Sequence, residues 1–232
     1  MITIEHVSKD FRIGDSTVHA VRDVSFVIYP SQVTAIVGPS GGGKSTLLNL
    51  IGQLVRPTSG AITIDGHDIA RSGERQAAHY RNETFGYVVQ DFALVESDTV
   101  FDNVRIPLVY ARRRRRGQRK LVADTLARFD VAELMDHPVK LLSGGQRQRV
   151  ALARAVVNAP RIILADEPTG ALDQANGRCV FEYLRELANA NHTVVMVTHD
   201  PELANRCDVI HELRDGSLVA NRAGNRETVA PL

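Results

Sequence analysis

The residues Gly38-Pro39-Ser40-Gly41-Gly42-Gly43-Lys44-Ser45 carry the spacing G-x-x-x-x-G-K-[ST], in which a chain wraps its own amides around phosphate. Glycines let several backbone N–H groups turn into one concavity, and the helix that follows adds the positive end of its dipole. Lys44 contributes a mobile ammonium for the terminal phosphates of a nucleoside triphosphate, and Ser45 is placed to ligate Mg²⁺. The context is the one this chemistry needs: the apolar run 33–37 precedes the loop, and Thr46-Leu47-Leu48-Asn49-Leu50-Ile51 reads as the helix after it. An ordinary turn holding a chance lysine would not require that order.

Three further positions could act on a triphosphate. In Leu142-Ser143-Gly144-Gly145-Gln146 a serine hydroxyl and two glycine amides stand directly before a helical pattern through Arg147, Val150, Ala153 and Val157. They suit a γ-phosphate, although by themselves they also read as a serine N-cap with glycines in the turn. The apolar run 162–165 delivers Asp166 and Glu167 at its carboxyl end, where open α/β sheets present their ligands, and Pro168 stops the strand. Asp166 suits Mg²⁺, and Glu167 is next in line to orient and deprotonate water. The run 193–197 ends in Thr198-His199-Asp200, and Gln90 ends the run 85–89. A neutral His199 could reach the γ-phosphate or the attacking water, and Gln90 could reach water or Mg²⁺.

The elements that must position these residues follow from hydrophobic periodicity. Residues 2–7 and 23–29 alternate, 33–37 is a buried-strand run, 56–60 is a breaker, and 61–66 is a short strand and turn. From about 99 to 142 the pattern is helical, with Val100, Val104 and Leu108 on one face and Leu121, Thr125, Leu126 and Phe129 on another. An amphipathic helix from 174 to about 190 separates the last two strand runs. Alternation of strand and helix on this scale predicts a mostly parallel, doubly covered sheet. The expectation is one α/β domain over 1–232, with an N-terminal antiparallel β subdomain and an α-helical subdomain inserted at about 95–145.

Composition excludes several classes. The 232 residues are 44% hydrophobic with a formal net charge of +1, so no global field draws nucleic acid. Cys179 and Cys207 stand far apart, which fits neither a zinc site nor a disulfide framework. Nowhere do eighteen apolar residues follow one another, and the start is not a leader pattern, so neither a membrane span nor an export signal is expected. The run Arg112-Arg113-Arg114-Arg115-Arg116 is the one strong local charge feature. It reads as a solvated helix start or loop, with anionic lipid or a partner protein as the alternatives.

In this order along the chain, the motifs resemble those of the ATP-binding subunits of ABC transporters. The phosphate loop matches 38–45, the Q-loop glutamine Gln90, the signature LSGGQ residues 142–146, the Walker B strand and catalytic glutamate 162–167, the D-loop 171–173 and the switch histidine His199. Gly42 stands where this branch commonly has serine, which leaves the required glycine and lysine untouched. Phe11 falls where the family places an aromatic ring on adenine, though it also reads as a core phenylalanine. The finer runs 48–52, 85–90, Asn103-Val104 with Pro107, and 165–173 look like the MacB and LolD branch, which also includes the cell-division ATPase FtsE.

The resemblance implies a P-loop NTPase of the ABC type that binds ATP with Mg²⁺ and hydrolyses it to power a membrane transporter, of a MacB/LolD kind that exports drugs or peptides or releases lipoproteins. It implies catalytic roles for Glu167, His199 and Gln90, metal ligation by Ser45, Gln90 and Asp166, and nucleotide contacts from Phe11, residues 38–46, Ser143, Gly144, Gly145, Gln146 and Asp173. It implies two partners: a second copy of the chain, because each motif occurs once, and an FtsX- or MacB-like permease. That places the chain peripherally on the cytoplasmic face of the inner membrane. Phe92, Leu94 and Val95 read either as contacts for that permease or as core. The other readings are an FtsE-like ATPase that transmits force without transport, and a soluble ABC ATPase of DNA repair or translation.

Overall fold

The runs 33–37, 85–89, 162–166 and 193–197 are almost wholly apolar because both faces of the strands they form are covered. The computed structural model describes residues 1–68, 74–111 and 116–225, the side chains of 74–76 excepted. Strands β1 (Ile2–Ile13), β2 (Ser16–Ile28) and β3 (Val33–Val37) precede helix α1 (Lys44–Ile51). Then come β4 (Ser59–Ile64), β5 (His67–Asp68), α2 (Glu74–Thr84), β6 (Phe85–Val89), α3 (Val100–Tyr110) and α4 (Gln118–Ala127). Two short 3-10 turns lead to α5 (Gly144–Val156), followed by β7 (Ile162–Asp166), α6 (Gln174–Asn189), β8 (Thr193–Val197), α7 (Pro201–Asn205), β9 (Val209–Arg214) and β10 (Ser217–Ala223).

Two sheets result. An antiparallel one has the order β2-β1-β4-β5, and a six-stranded one the order β10-β9-β3-β8-β7-β6, parallel except where β10 turns back along β9. Alternate side chains of the central strands serve two separate apolar clusters, as a pleat of period two requires. Ile163 and Ala165 of β7 and Val194 and Met196 of β8 pack with the helices α3 to α6. Ile162, Leu164, Val195 and Val197 pack on the other face with α1 and the first sheet, through Leu47, Leu50, Ile4 and Ile62.

The parallel strands bring their carboxyl ends to one edge. Along it, in spatial order, lie the end of β9, the phosphate loop after β3, His199 after β8, Asp166 and Glu167 after β7, and Gln90 after β6. Helix α5 begins at Gly144, earlier than its apolar periodicity suggests, because Ser143 caps it. Helix α2, helix α7 and the β9–β10 pair lie outside the sequence expectations. Of the arginine run, positions 112–115 fall outside the described residues; just beyond it, Arg119 pairs with Asp136 at 2.7 Å.

Candidate active site at the strand edge

The phosphate loop is glycine-rich for a steric reason visible at two positions. Gly38 has φ 142°, and a Cβ there would stand 1.9 Å from the Leu213 carbonyl oxygen of β9. Gly43 has φ 93°, and a Cβ there would meet the Ala20 carbonyl oxygen of β2 at 2.2 Å. Both sheets therefore press on the outer side of the loop, and only glycine permits that approach. The turn between β9 and β10 adds a strut, since the Gly216 amide donates to the Gly42 carbonyl at 3.2 Å.

Lys44 opens α1 and folds back, its Nζ donating to the Pro39 carbonyl at 2.9 Å. An ammonium has three donors, so two stay available to a phosphate in the loop. Ser45 Oγ donates to Asp166 Oδ1 at 2.9 Å, which joins the loop helix to the end of β7. These are hard oxygen donors at one point. Among the described residues no three His, Cys, Asp or Glu side chains gather to hold an ion unaided. That donor set fits Mg²⁺, which binds through one or two protein oxygens, water and substrate phosphates.

Glu167 adopts φ 48°, a left-handed conformation that costs a residue with a Cβ on the order of 1–2 kcal/mol. Its amide donates to the Val197 carbonyl at 3.0 Å, and its carbonyl accepts from the Gly170 amide at 3.1 Å. The turn directs the carboxylate toward β8, where Glu167 Oε2 lies 2.8 Å from His199 Nδ1. A carboxylate only accepts, so Nδ1 carries the proton between them and Nε2 faces away from the glutamate. The imidazole is 70% exposed, open to a substrate, whereas the Glu167 side chain is 16% exposed. Gln90 flanks the same turn: a Cβ built on Gly170 would lie 3.4 Å from Gln90 Nε2 and 3.7 Å from Glu167 Cβ.

Lys44, Ser45, Asp166, Glu167, His199 and Gln90 thus share one edge. Residues 143–146 do not join them. Ser143 is the N-cap of α5: its Oγ accepts from the Gln146 amide at 3.3 Å while Gln146 Oε1 accepts from the Ser143 amide at 2.9 Å. Gln146 therefore has a structural task in a capping box, beyond any contact with nucleotide. Among the described residues no hydrogen bond of Ser143 reaches 38–46. Ser143 and Gly144 are exposed, and the first amides of a helix have no intrahelical acceptor. Asp173 caps α6 beside it, accepting from the Asn176 amide at 2.9 Å, a hydrogen bond that holds its carboxyl below the usual carboxylate range. A Cβ on Gly145 would lie 2.6 Å from Asn176 Oδ1, so the two helix starts adjoin.

Phe11 is 37% exposed near the end of β1 and belongs to neither apolar cluster, with Lys9 Nζ 5.0 Å from its ring centre. It pairs with Val18 of β2, two residues from the Ala20 carbonyl that abuts Gly43. Beyond Gln90 the three apolar residues divide: Leu94 packs on the core, Phe92 is half-buried and Val95 is exposed. Sequence reasoning passed over Arg154 of α5, whose guanidinium holds the carbonyls of Phe92, at 2.7 Å, and Ala93. Both carbonyls belong to residues with positive φ, and burial pulls the guanidinium below its ordinary pKa. An arginine among the apolar residues of α5 was the only sequence signal for this clasp.

A phosphate loop, a strand-end acidic pair and a separate capped helix start, on this two-sheet frame, define an ATP-binding cassette. The chain belongs to the ABC transporter family, whose profile matches residues 21–170. It is 40% identical to the ABC transporter ATP-binding protein YvrO of Bacillus subtilis, over 97% of this chain and 98% of that one. It is 41% identical to the macrolide export ATP-binding/permease protein MacB of Brucella melitensis over 95% of this chain, which spans 34% of MacB. Among solved structures, the ATP-binding cassette MJ0796, dimeric in a post-hydrolysis state with ADP and Pi, superposes with a TM-score of 0.90 at 35% identity, covering 97% of this chain and 99% of that one. As a member of this family the chain is an ATP-binding transporter subunit that hydrolyses ATP to ADP and phosphate. No described helix is long and apolar enough to cross a membrane.

Proposed function

We propose that two copies of this chain close head to tail on two ATP molecules, each bound by the phosphate loop of one copy and capped by Ser143 of the other. One observation supports this most directly: Ser143 and Gly144 are exposed, and no hydrogen bond among the described residues joins Ser143 to the phosphate loop of its own chain. In this reading the amides of 38–46 and Lys44 grip the phosphates, and Phe11 stacks on adenine through its exposed face. Ser45, Asp166 and Gln90 would hold Mg²⁺, and the ion would offset phosphate charge. Glu167 takes the proton of the attacking water, its carboxylate aimed by His199, and Gln146 and Asp173 meet the nucleotide or the partner copy at the seam. Hydrolysis removes the γ-phosphate that joins the halves, and the dimer reopens.

The whole length works as one cassette, with the helical segment at about 95–145 transmitting the closure. Force leaves through a cleft of about 930 Å³ between α2, β6, α3 and α5, lined by Leu54, Phe85, Tyr87, Ile106, Pro107 and Tyr110. Its rim exposes Tyr110 and Leu54, a surface suited to a cytoplasmic helix of a MacB- or FtsX-like permease. That partner would hold the chain at the cytoplasmic face of the inner membrane and make it the motor of an exporter.

Cysteine crosslinking tests the arrangement. In a Cys179→Ser background, which removes the exposed native thiol, Ser40→Cys and Ser143→Cys together should crosslink between chains with ATP and Mg²⁺ and not without. Absence of the crosslink in every nucleotide state would overturn the head-to-tail reading.

A further inference from the structure

Gln148 lies within α5, is fully buried, and among the described residues has one hydrogen bond, from its Nε2 to the Pro168 carbonyl at 2.6 Å. Its Oε1 is equally buried and has no partner among the described residues. A half-satisfied amide in a core is worse for stability than a methionine or leucine of the same reach. The bond it does make is therefore the place to look for a purpose.

Pro168 directly follows Glu167, and three hydrogen bonds among the described residues hold the backbone of this pair. Two come from β8 and from the turn itself, the Val197 carbonyl and the Gly170 amide. The third comes from Gln148, on the helix that Ser143 caps five residues earlier. A helix transmits displacement along its axis, so the same rigid element carries the exposed Ser143 at one end and reaches the glutamate turn about 1.4 turns later.

We propose that Gln148 is a positioning residue: it ties the Ser143 end of α5 to the Pro168 carbonyl directly after Glu167, so that capture of one nucleotide by Ser143 sets the carboxylate serving the other. This rests on the reading of Glu167 as the base and of Ser143 as the donor to a second copy.

The test uses the full chain with ATP and Mg²⁺. Gln148→Met keeps the side-chain volume and removes the donor. It should lower kcat by about 10- to 100-fold, the scale for a misplaced catalytic group, with ATP affinity measured by a fluorescent analogue unchanged. Gln148→Glu supplies a donor only when protonated, and burial raises the pKa of such a carboxyl. Its turnover, relative to the unmodified chain, should rise as pH is lowered from about 8 to about 6. Gln148→Met should show no such rise. Wild-type kcat in Gln148→Met, or parallel pH profiles for the two variants, would overturn the proposal. If Gln148→Met fails to fold, the pH profile of Gln148→Glu decides alone. Glu167→Gln separates the premises: if it is inactive while Gln148→Met is fully active, only the positioning role fails, and if it turns over normally the reading of the base fails.

Discussion

At the level of single residues, two charged groups on one sheet edge have unequal jobs in the proposed cycle. Lys44 binds: without its ammonium the loop amides face the terminal phosphates alone. Lys44→Ala should cost ATP affinity by about 1.5–3 kcal/mol, the worth of a charge-assisted hydrogen bond, seen by titration calorimetry. In the proposed cycle Glu167 acts on water and contributes little to holding the nucleotide. Glu167→Gln should reduce ATP turnover by about 10²- to 10⁴-fold while the ATP dissociation constant stays near that of the unmodified chain. Equal losses of affinity in both variants would contradict this division. The clasp of Arg154 on Phe92 and Ala93 belongs to the same scale, since it fixes the backbone beyond Gln90 from within α5.

At the level of elements, α5 carries the Ser143 cap and, in the proposed dimer, a donor to the second copy, and substitution can separate the two. Ser143→Ala removes the cap and should lower stability by about 1 kcal/mol, visible as a reduced melting temperature with no nucleotide present. Ser143→Asp restores the cap, because aspartate is a good N-cap, yet places negative charge against the γ-phosphate of a second copy. It should melt like the unmodified chain and still fail to hydrolyse ATP. The strands that carry the site were legible in the sequence because burial on both faces makes them continuous apolar runs. The β9–β10 pair was not, and the reason is His211: a polar residue at a buried position breaks the apolar run of β9. Asp215-Gly216, both with positive φ, was the hairpin signal that could have revealed it. Helix α2 escaped because its eleven residues offer few apolar positions to show a period. The residues of the site could be listed from motifs, but that Gln146 closes a capping box and that Gln148 reaches Pro168 are facts of packing, which spacing alone does not encode.

At the scale of the whole molecule, His211 makes stability depend on pH. Its ring is buried against Phe26, the centroids 4.0 Å apart, and among the described residues neither nitrogen has a partner. Desolvation pushes its pKa down from 6.5 to about 4. The folded chain thus holds the ring neutral where the unfolded chain protonates it, so stability falls as pH drops from about 6.5 to about 4 and levels off below that. A shift of this size corresponds to roughly 3 kcal/mol in all, and urea unfolding at a series of pH values should show the decline. His211→Leu should flatten it; an unchanged slope in that variant would assign the pH dependence to other groups.

Assembly is the other property of the whole molecule, and the central claim concerns it. Glu167→Gln should bind ATP and stop before hydrolysis, so the closed pair should accumulate. Light scattering behind gel filtration, with and without ATP and Mg²⁺, measures this directly. The expected result is a species of twice the chain mass with nucleotide and the single chain mass without it. A Glu167→Gln chain that carries bound ATP and still elutes at the single mass would contradict it.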